Sequence, residues 1–235
     1  MIIKERVLWA GCAAAGLAVL ITVILIMPFF PTEAATVVSG YGSPVIAFEF
    51  ARTPVDLVAV FGGDADPARA SRLSMMDQGN RWDFLFMTLY SLFGAMFGLA
   101  VRRCRATLGT VILVAAIIAG LADAIETRTL LSITAQMTNG IANPAGLATL
   151  WVPVTIKFMG LALSIISAGL FLGSRKNVTW KALGALTVLS ALLSVPALLS
   201  PAGLGNLLTP SIGIGWIIML AYALTRSVKG VTLTP

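Results

Sequence analysis

Two carboxylates one helical turn apart, Asp123 and Glu126, interrupt a stretch otherwise suited to hydrocarbon, AGLADAIETRTLL. Side chains at i and i+3 share a helix face, so both point the same way. An ionised side chain near the centre of a membrane helix costs about 2.5–3.5 kcal/mol and tends to face protein or water. Lys157, in the next apolar run, is the obvious cation to meet the pair. Such a group has three chemistries open to it. One carboxyl raised by burial, beside another kept ionised by the lysine, makes an acid–base pair. Asp123, Glu126 and Asp83 with water could hold Mg²⁺ or another hard cation. Or the group receives the polar end of a small ligand.

Other polar residues fall on the same side of the chain's expected layout. Tyr90 lies two turns from Asp83 on one face, and Glu49 and Arg52 sit in the segment before them. The candidate ligand-binding set is therefore Asp123, Glu126, Lys157, Asp83, Tyr90, Glu49 and Arg52. Each has a plainer reading. Asp83, three positions after Asn80, could complete a helix cap, and Glu126 could lie at the water interface. Asp123 with Lys157 could be a purely structural ion pair. Lys157 could snorkel outward, and Glu49 with Arg52 could be an intrahelical pair.

Histidine is absent, which removes His-ligated haem, His-containing zinc sites and the commonest general base. Cys12 and Cys104 form no CxxC pattern. No cofactor is expected, with a divalent cation on carboxylates as the open alternative. There is no HExxH, GxSxG, P-loop or DxxxD motif to name a reaction.

The elements that must position these residues are membrane helices. Apolar residues make up 58% of the 235 and charged residues 11%, against about 45–50% and about 25% in soluble domains. A hydrocarbon core about 30 Å thick takes about 20 apolar residues of helix. The fold class is therefore all-α, a polytopic bundle of six spans forming a single domain over 1–235. The spans are Val7–Phe30, Trp82–Val101, Thr107–Glu126 (extensible to Ile133), Ala148–Leu172, Lys181–Leu199 and Leu204–Leu224. Pro210 and nearby glycines threaten the last. The first run is longer than a signal h-region of roughly 7–15 residues, and is expected to be a retained helix.

Most of the sixteen basic residues fall on one side if the N-terminus is cytoplasmic. These are Lys4, Arg6, Arg102, Arg103, Arg105, Arg175, Lys176, Lys181, Arg226 and Lys229, which predicts both termini inside. The net charge of +6 is thus a topology signal, and no nucleic-acid partner is expected. A prokaryotic cytoplasmic membrane is the expected location. Every acid except Glu5 then lies outside or in the outer half. Lys157 comes about ten residues into its span, about 15 Å deep at 1.5 Å per residue.

The loop 31–81 between the first two spans carries helix starts at Thr53-Pro54 and Asp66-Pro67, with Gly79 as a stop. It is expected to fold as two or three short helices forming a lid over the bundle mouth. Trp9, Trp82, Trp151 and Trp180 read as interfacial anchors. The spacings Gly94–Gly98 and Gly169–Gly173 read as close helix contacts.

Three functions fit. The first is an outward-facing acidic pocket, between spans two, three and four, for a small amphipathic or lipid-like ligand. The second is a non-catalytic subunit among other membrane subunits. The third is an intramembrane enzyme. In each, lipids are the surrounding partner.

Overall fold

A computed structural model describes residues 2–228, with side chains from Arg6 onward. Lys4 as a side chain, and Lys229 altogether, lie outside the described residues. The fold is all-helical, 82% helix, with no strand among the described residues. Six helical stretches are long and apolar enough to cross a membrane, which fits an integral membrane protein.

The long helices are α1 (Ile2–Ile26), α4 (Arg69–Arg102), α5 (Ala106–Thr138), α6 (Trp151–Gly173), α7 (Val178–Leu192) and α10 (Leu208–Val228). Short helices α2 (Pro44–Glu49) and α3 (Pro54–Phe61) lie between α1 and α4, and α8 (Ser194–Leu199) and α9 (Pro201–Leu204) between α7 and α10. The long helices alternate in direction. The turns holding Arg102 to Arg105 and Arg175 to Lys176 therefore share one end of the bundle. The Arg6 guanidinium donates to the Ser227 carbonyl at 2.8 Å, placing the beginning of α1 and the end of α10 at that same basic end. The helices α2 and α3 lie at the other.

Local chemistry explains most boundaries. Ser43 accepts from the Ile46 N–H and Pro44 opens α2. A capping box between Thr53 and Asp56 opens α3, again with proline in the first turn. Pro210 sits in the first turn of α10, where an N–H would have no helical partner, so the helix survives it. The expected span Lys181–Leu199 falls within the apolar stretch Val178–Leu199, whose helix is interrupted at Leu193. There Pro196 has no N–H to return to the Leu192 carbonyl, and α8 begins as a separate turn.

The second span differs most from expectation. The helix beginning near Asp66-Pro67 does not stop at Gly79 but runs unbroken to Arg102. Gly79 is there for packing, since a Cβ would fall 2.3 Å from the Phe30 ring. Asp83 is consequently deep inside α4 and caps nothing. Likewise α5 runs on to Thr138, while the fourth span, Leu147–Gly173, opens with a 3-10 turn before α6 and keeps Lys157 about ten residues into it, as expected. Trp9 is no interfacial anchor. It is 2% exposed, with its ring edge-on to Phe97 and Tyr222 at 5.4 and 5.3 Å between centroids. Trp82 and Trp151 are exposed.

Two apolar clusters hold the structure. One runs along the bundle around Phe93, Phe97, Ile165 and Phe171. The other joins α2 and α3, through Phe48, Phe61 and Leu57, to Met76, Ile133, Val154 and Leu208. Between helices, small residues permit near-contact of backbones. A Cβ on Gly98 would sit 2.6 Å from the Leu113 nitrogen, and one on Gly169 would sit 2.8 Å from the Gly184 carbonyl.

Gly98→Ala must push α4 off α5, because the atoms it meets are backbone. The expected cost is about 1–3 kcal/mol, read as a lower thermal midpoint in detergent. Gly173→Ala, where a Cβ meets nothing within 4 Å, is the control and should not lower it. Equal midpoints for the two would refute this packing account.

Candidate functional site

Small residues set the register that assembles the polar cluster. Gly160 lets α6 lie on α5, with a Cβ there falling 3.0 Å from the Ala115 carbonyl and 3.1 Å from the Ala119 Cβ. One turn from Gly160 is Lys157, and one turn from Ala119 is Asp123. The same close approach that joins the helices thus brings ammonium to carboxylate. On the other flank, a Cβ on Gly94 would lie 2.6 Å from the Ala116 Cβ, holding α4 against α5. One turn from Gly94, the Tyr90 hydroxyl donates to Asp123 Oδ2 at 2.7 Å.

Lys157 Nζ is the centre. It meets Glu126 Oε1 at 2.6 Å, Glu49 Oε1 at 3.2 Å and Asp123 Oδ1 at 3.4 Å. All four side chains are buried, Glu126 to 1% exposure and Lys157 to 6%. These values dispose of Glu126 as an interfacial residue and of Lys157 as a snorkelling one. The lysine also lies 4.7 Å from the Phe158 ring centroid, giving it a cation–π contact.

Glu49 arrives from outside the long helices. Phe48 packs edge-on to Phe61 at 4.9 Å, and Phe50 stacks on Phe158 at 6.2 Å. The glutamate between these two anchors is pressed down onto Lys157. Burial pushes its carboxyl above the usual carboxylate range, opposed by the Lys157 ammonium and reinforced by the Asp123 charge.

Arg52 does not join the cluster. Its guanidinium donates to the Ala51 and Glu49 carbonyls at 3.1 and 3.5 Å, while its backbone N–H donates to Asp56 Oδ2 at 2.9 Å. Glu49 Oε1 meets Lys157 instead, and Glu49 and Arg52 form no side-chain ion pair. Asp83 accepts from the Thr127 hydroxyl at 3.0 Å and faces the same space as Tyr90 and Asp123.

That space is a cavity of about 350 Å³. Glu49, Asp83, Tyr90, Asp123 and Lys157 line its polar end. Its remaining wall is apolar and comes largely from α1 and α10, through Val19, Val23, Ile26, Ile212 and Ile217. Glu126 does not line it and sits behind the lysine. Pattern reading placed a pocket between α4, α5 and α6; the participation of α1 and α10 was not foreseen. Neither were Phe86 and Trp216, which also line the cavity. The indole of Trp216 stacks on Tyr90 at 5.3 Å and meets the Phe86 edge at 5.8 Å.

Among the described residues, no group of three or more His, Cys, Asp or Glu is arranged to hold a metal ion. The physical reason is at hand: the Lys157 ammonium occupies the point on which Glu49, Asp123 and Glu126 converge. A larger hollow of about 640 Å³ beside α4 is lined by Asp64, Asp66, Arg69, Asp77 and Arg81. Its charges are partly matched, Arg69 with Asp64 and Asp77 with the Thr134 hydroxyl, and it touches none of the cluster.

No protein-family model, curated protein or solved structure matches this chain. Its chemistry rests on the geometry alone.

Lys157→Met keeps the bulk of the side chain and removes the only ammonium in the cluster. Stability should fall by about 3–5 kcal/mol, the range for stranding one side of a buried ion pair. Adding Glu126→Gln should return part of that loss. Unfolding of the single and double variants in micelles measures the coupling, and strictly additive effects would contradict the pairing.

Proposed function

We propose that this chain is an integral membrane protein whose acidic pocket binds a small amphipathic ligand. The observation carrying this reading is the cavity itself, which joins a charged end to a long apolar wall. Small-molecule sites have this form, a mostly apolar enclosure with a few convergent polar groups, in volumes of about 300–1,000 Å³. The polar groups would fix the head and the α1–α10 wall the tail.

The basic end, with Arg6, Arg102 to Arg105 and Arg175 to Lys181, belongs on the cytoplasmic side under the positive-inside rule. In that orientation both termini are cytoplasmic, in a prokaryotic inner membrane. The pocket then opens toward the outer half of the bilayer, with the 31–81 segment forming its lid as part of one domain. The α1–α10 wall supports entry from the lipid phase. These helices touch at mid-length, where Gly16 packs on Leu220, while on the cavity wall a Cβ on Gly213 would meet nothing within 4 Å.

Native mass spectrometry of the protein extracted from its own membrane tests the reading. The expected result is a discrete small-molecule adduct, reduced at least tenfold in Asp123→Ala and Lys157→Ala and unchanged in Arg175→Ala. Equal loss in all three would refute the pocket. A stoichiometric polypeptide without an adduct would instead make the chain a structural subunit of a larger complex.

A further inference from the structure

We propose that the ligand is a cation, a single-chain amphipathic amine whose ammonium head meets Glu49, Asp83 and Asp123 and whose tail lies between α1 and α10. This rests on the pocket reading above and gives the ligand its chemical class.

Charge is the first ground. Glu49, Asp123 and Glu126 share one lysine, and Asp83 has only a threonine hydroxyl. No other Lys or Arg pairs with these four carboxylates among the described residues. Lys157 is drawn most closely to Glu126, at 2.6 Å, and Glu126 does not line the cavity. The carboxylates on the cavity wall are left with its weaker attention, 3.2 Å to Glu49 and 3.4 Å to Asp123. Burial favours the neutral form of the Glu49 carboxyl, and an ammonium head beside it would favour the ionised form, which an anionic or neutral head would not. A buried charge is tolerated where it is paired, so a cationic head is the complement.

The second ground is an unmet acceptor. Glu49 is 8% exposed and lines the cavity with its Oε1 on Lys157; Oε2 is fully buried without a hydrogen-bond partner, so a ligand ammonium would reach it by a turn of the carboxylate. A buried carboxylate oxygen without a donor is costly, and an ammonium carries several N–H groups to offer.

Aromatic rings supply the third. Phe86, Tyr90 and Trp216 form one continuous wall beside Asp83 and Asp123, with centroids 5.3 to 5.8 Å apart. Ring faces attract cations, and tryptophan does so best. Rings and carboxylates side by side suit an ammonium better than a hydroxyl or carboxylate. Finally, a cavity of about 350 Å³ is near the lower bound for small-molecule sites, which favours one chain over the two of a phospholipid.

The test uses the full chain in phosphatidylcholine nanodiscs at pH 7, with radiolabelled decylamine, decanol and decanoate as probes and empty nanodiscs subtracted. Decylamine should bind saturably, at least tenfold more tightly than decanol, with decanoate not binding. Asp83→Asn and Asp123→Asn should each weaken decylamine at least tenfold while leaving decanol within threefold. Gly213→Phe, which fills the cavity from a position with free space, should abolish both. Equal binding of decylamine and decanol in the unsubstituted protein, both lost in Gly213→Phe, would overturn the cation assignment while the pocket stands. Saturable binding of none of the three would overturn both. Phosphatidylethanolamine in the nanodisc should not displace decylamine; displacement would transfer the site to a lipid headgroup and overturn the single-chain assignment.

Discussion

One buried ammonium governs the organisation of this protein. Lys157 cannot reach solvent, so its charge has to be met inside, and it is met from two directions. Glu126 and Asp123 come from α5, and Glu49 comes from α2, a short helix remote from both in sequence. Breaking such a pair by removing one partner generally destabilises by about 3–5 kcal/mol, although replacing the whole group with apolar residues often costs nothing. The cluster is therefore poor evidence of a stability device. Its consequence is positional: it ties the α2–α3 segment to the centre of the bundle.

The surrounding packing serves this arrangement at two scales. Between long helices, Gly94, Gly98 and Gly160 remove side-chain bulk, so backbones approach closely and the register of α4, α5 and α6 is set within a turn. Above them, the phenylalanines on either side of Glu49 do what glycine cannot. They give a six-residue helix enough apolar surface to stay down, since an isolated helix of that length would not persist in water. The capping box at Thr53 and Asp56 then turns the chain back without an unpaired N–H. Burial raises the Asp56 carboxyl, but the backbone N–H groups of Arg52 and Thr53 and the Thr53 hydroxyl together hold it below the usual range.

How much of this could be read from residues alone follows from what kind of signal each feature leaves. Span number was legible because hydrocarbon thickness imposes a length on apolar runs. Cap chemistry showed at Thr53-Pro54 because its residue types are distinctive. The meeting of Asp123 and Glu126 with Lys157 was legible because charge is so scarce in these segments that few pairings exist. Gly79 misled, since a glycine that makes room for Phe30 and a glycine that ends a helix are the same letter. The cap reading of Asp83 failed along with it, because α4 runs through that position. Trp9 was assigned to the interface for its place near a span end, but it faces inward onto Phe97. The α1–α10 wall left no signal at all: in a membrane protein a residue facing lipid and one facing an apolar cavity obey the same preference. Arg52 was placed beside Glu49 by spacing, and a lysine far along the chain outweighed spacing.

The same difference in position separates the carboxylates by what they can do. Glu126 has the shortest contact to Lys157 and does not line the cavity, so any influence it has there passes through the lysine. Asp123 divides its oxygens between Lys157 and the Tyr90 hydroxyl. That fixes its orientation and leaves it on the wall. Asp83 stands apart from the lysine, and Glu49 keeps one oxygen free. Glu49 and Asp123 both meet Lys157 and border the apolar cavity, Glu126 meets the same ammonium without bordering it, and Asp83 borders the cavity apart from the lysine.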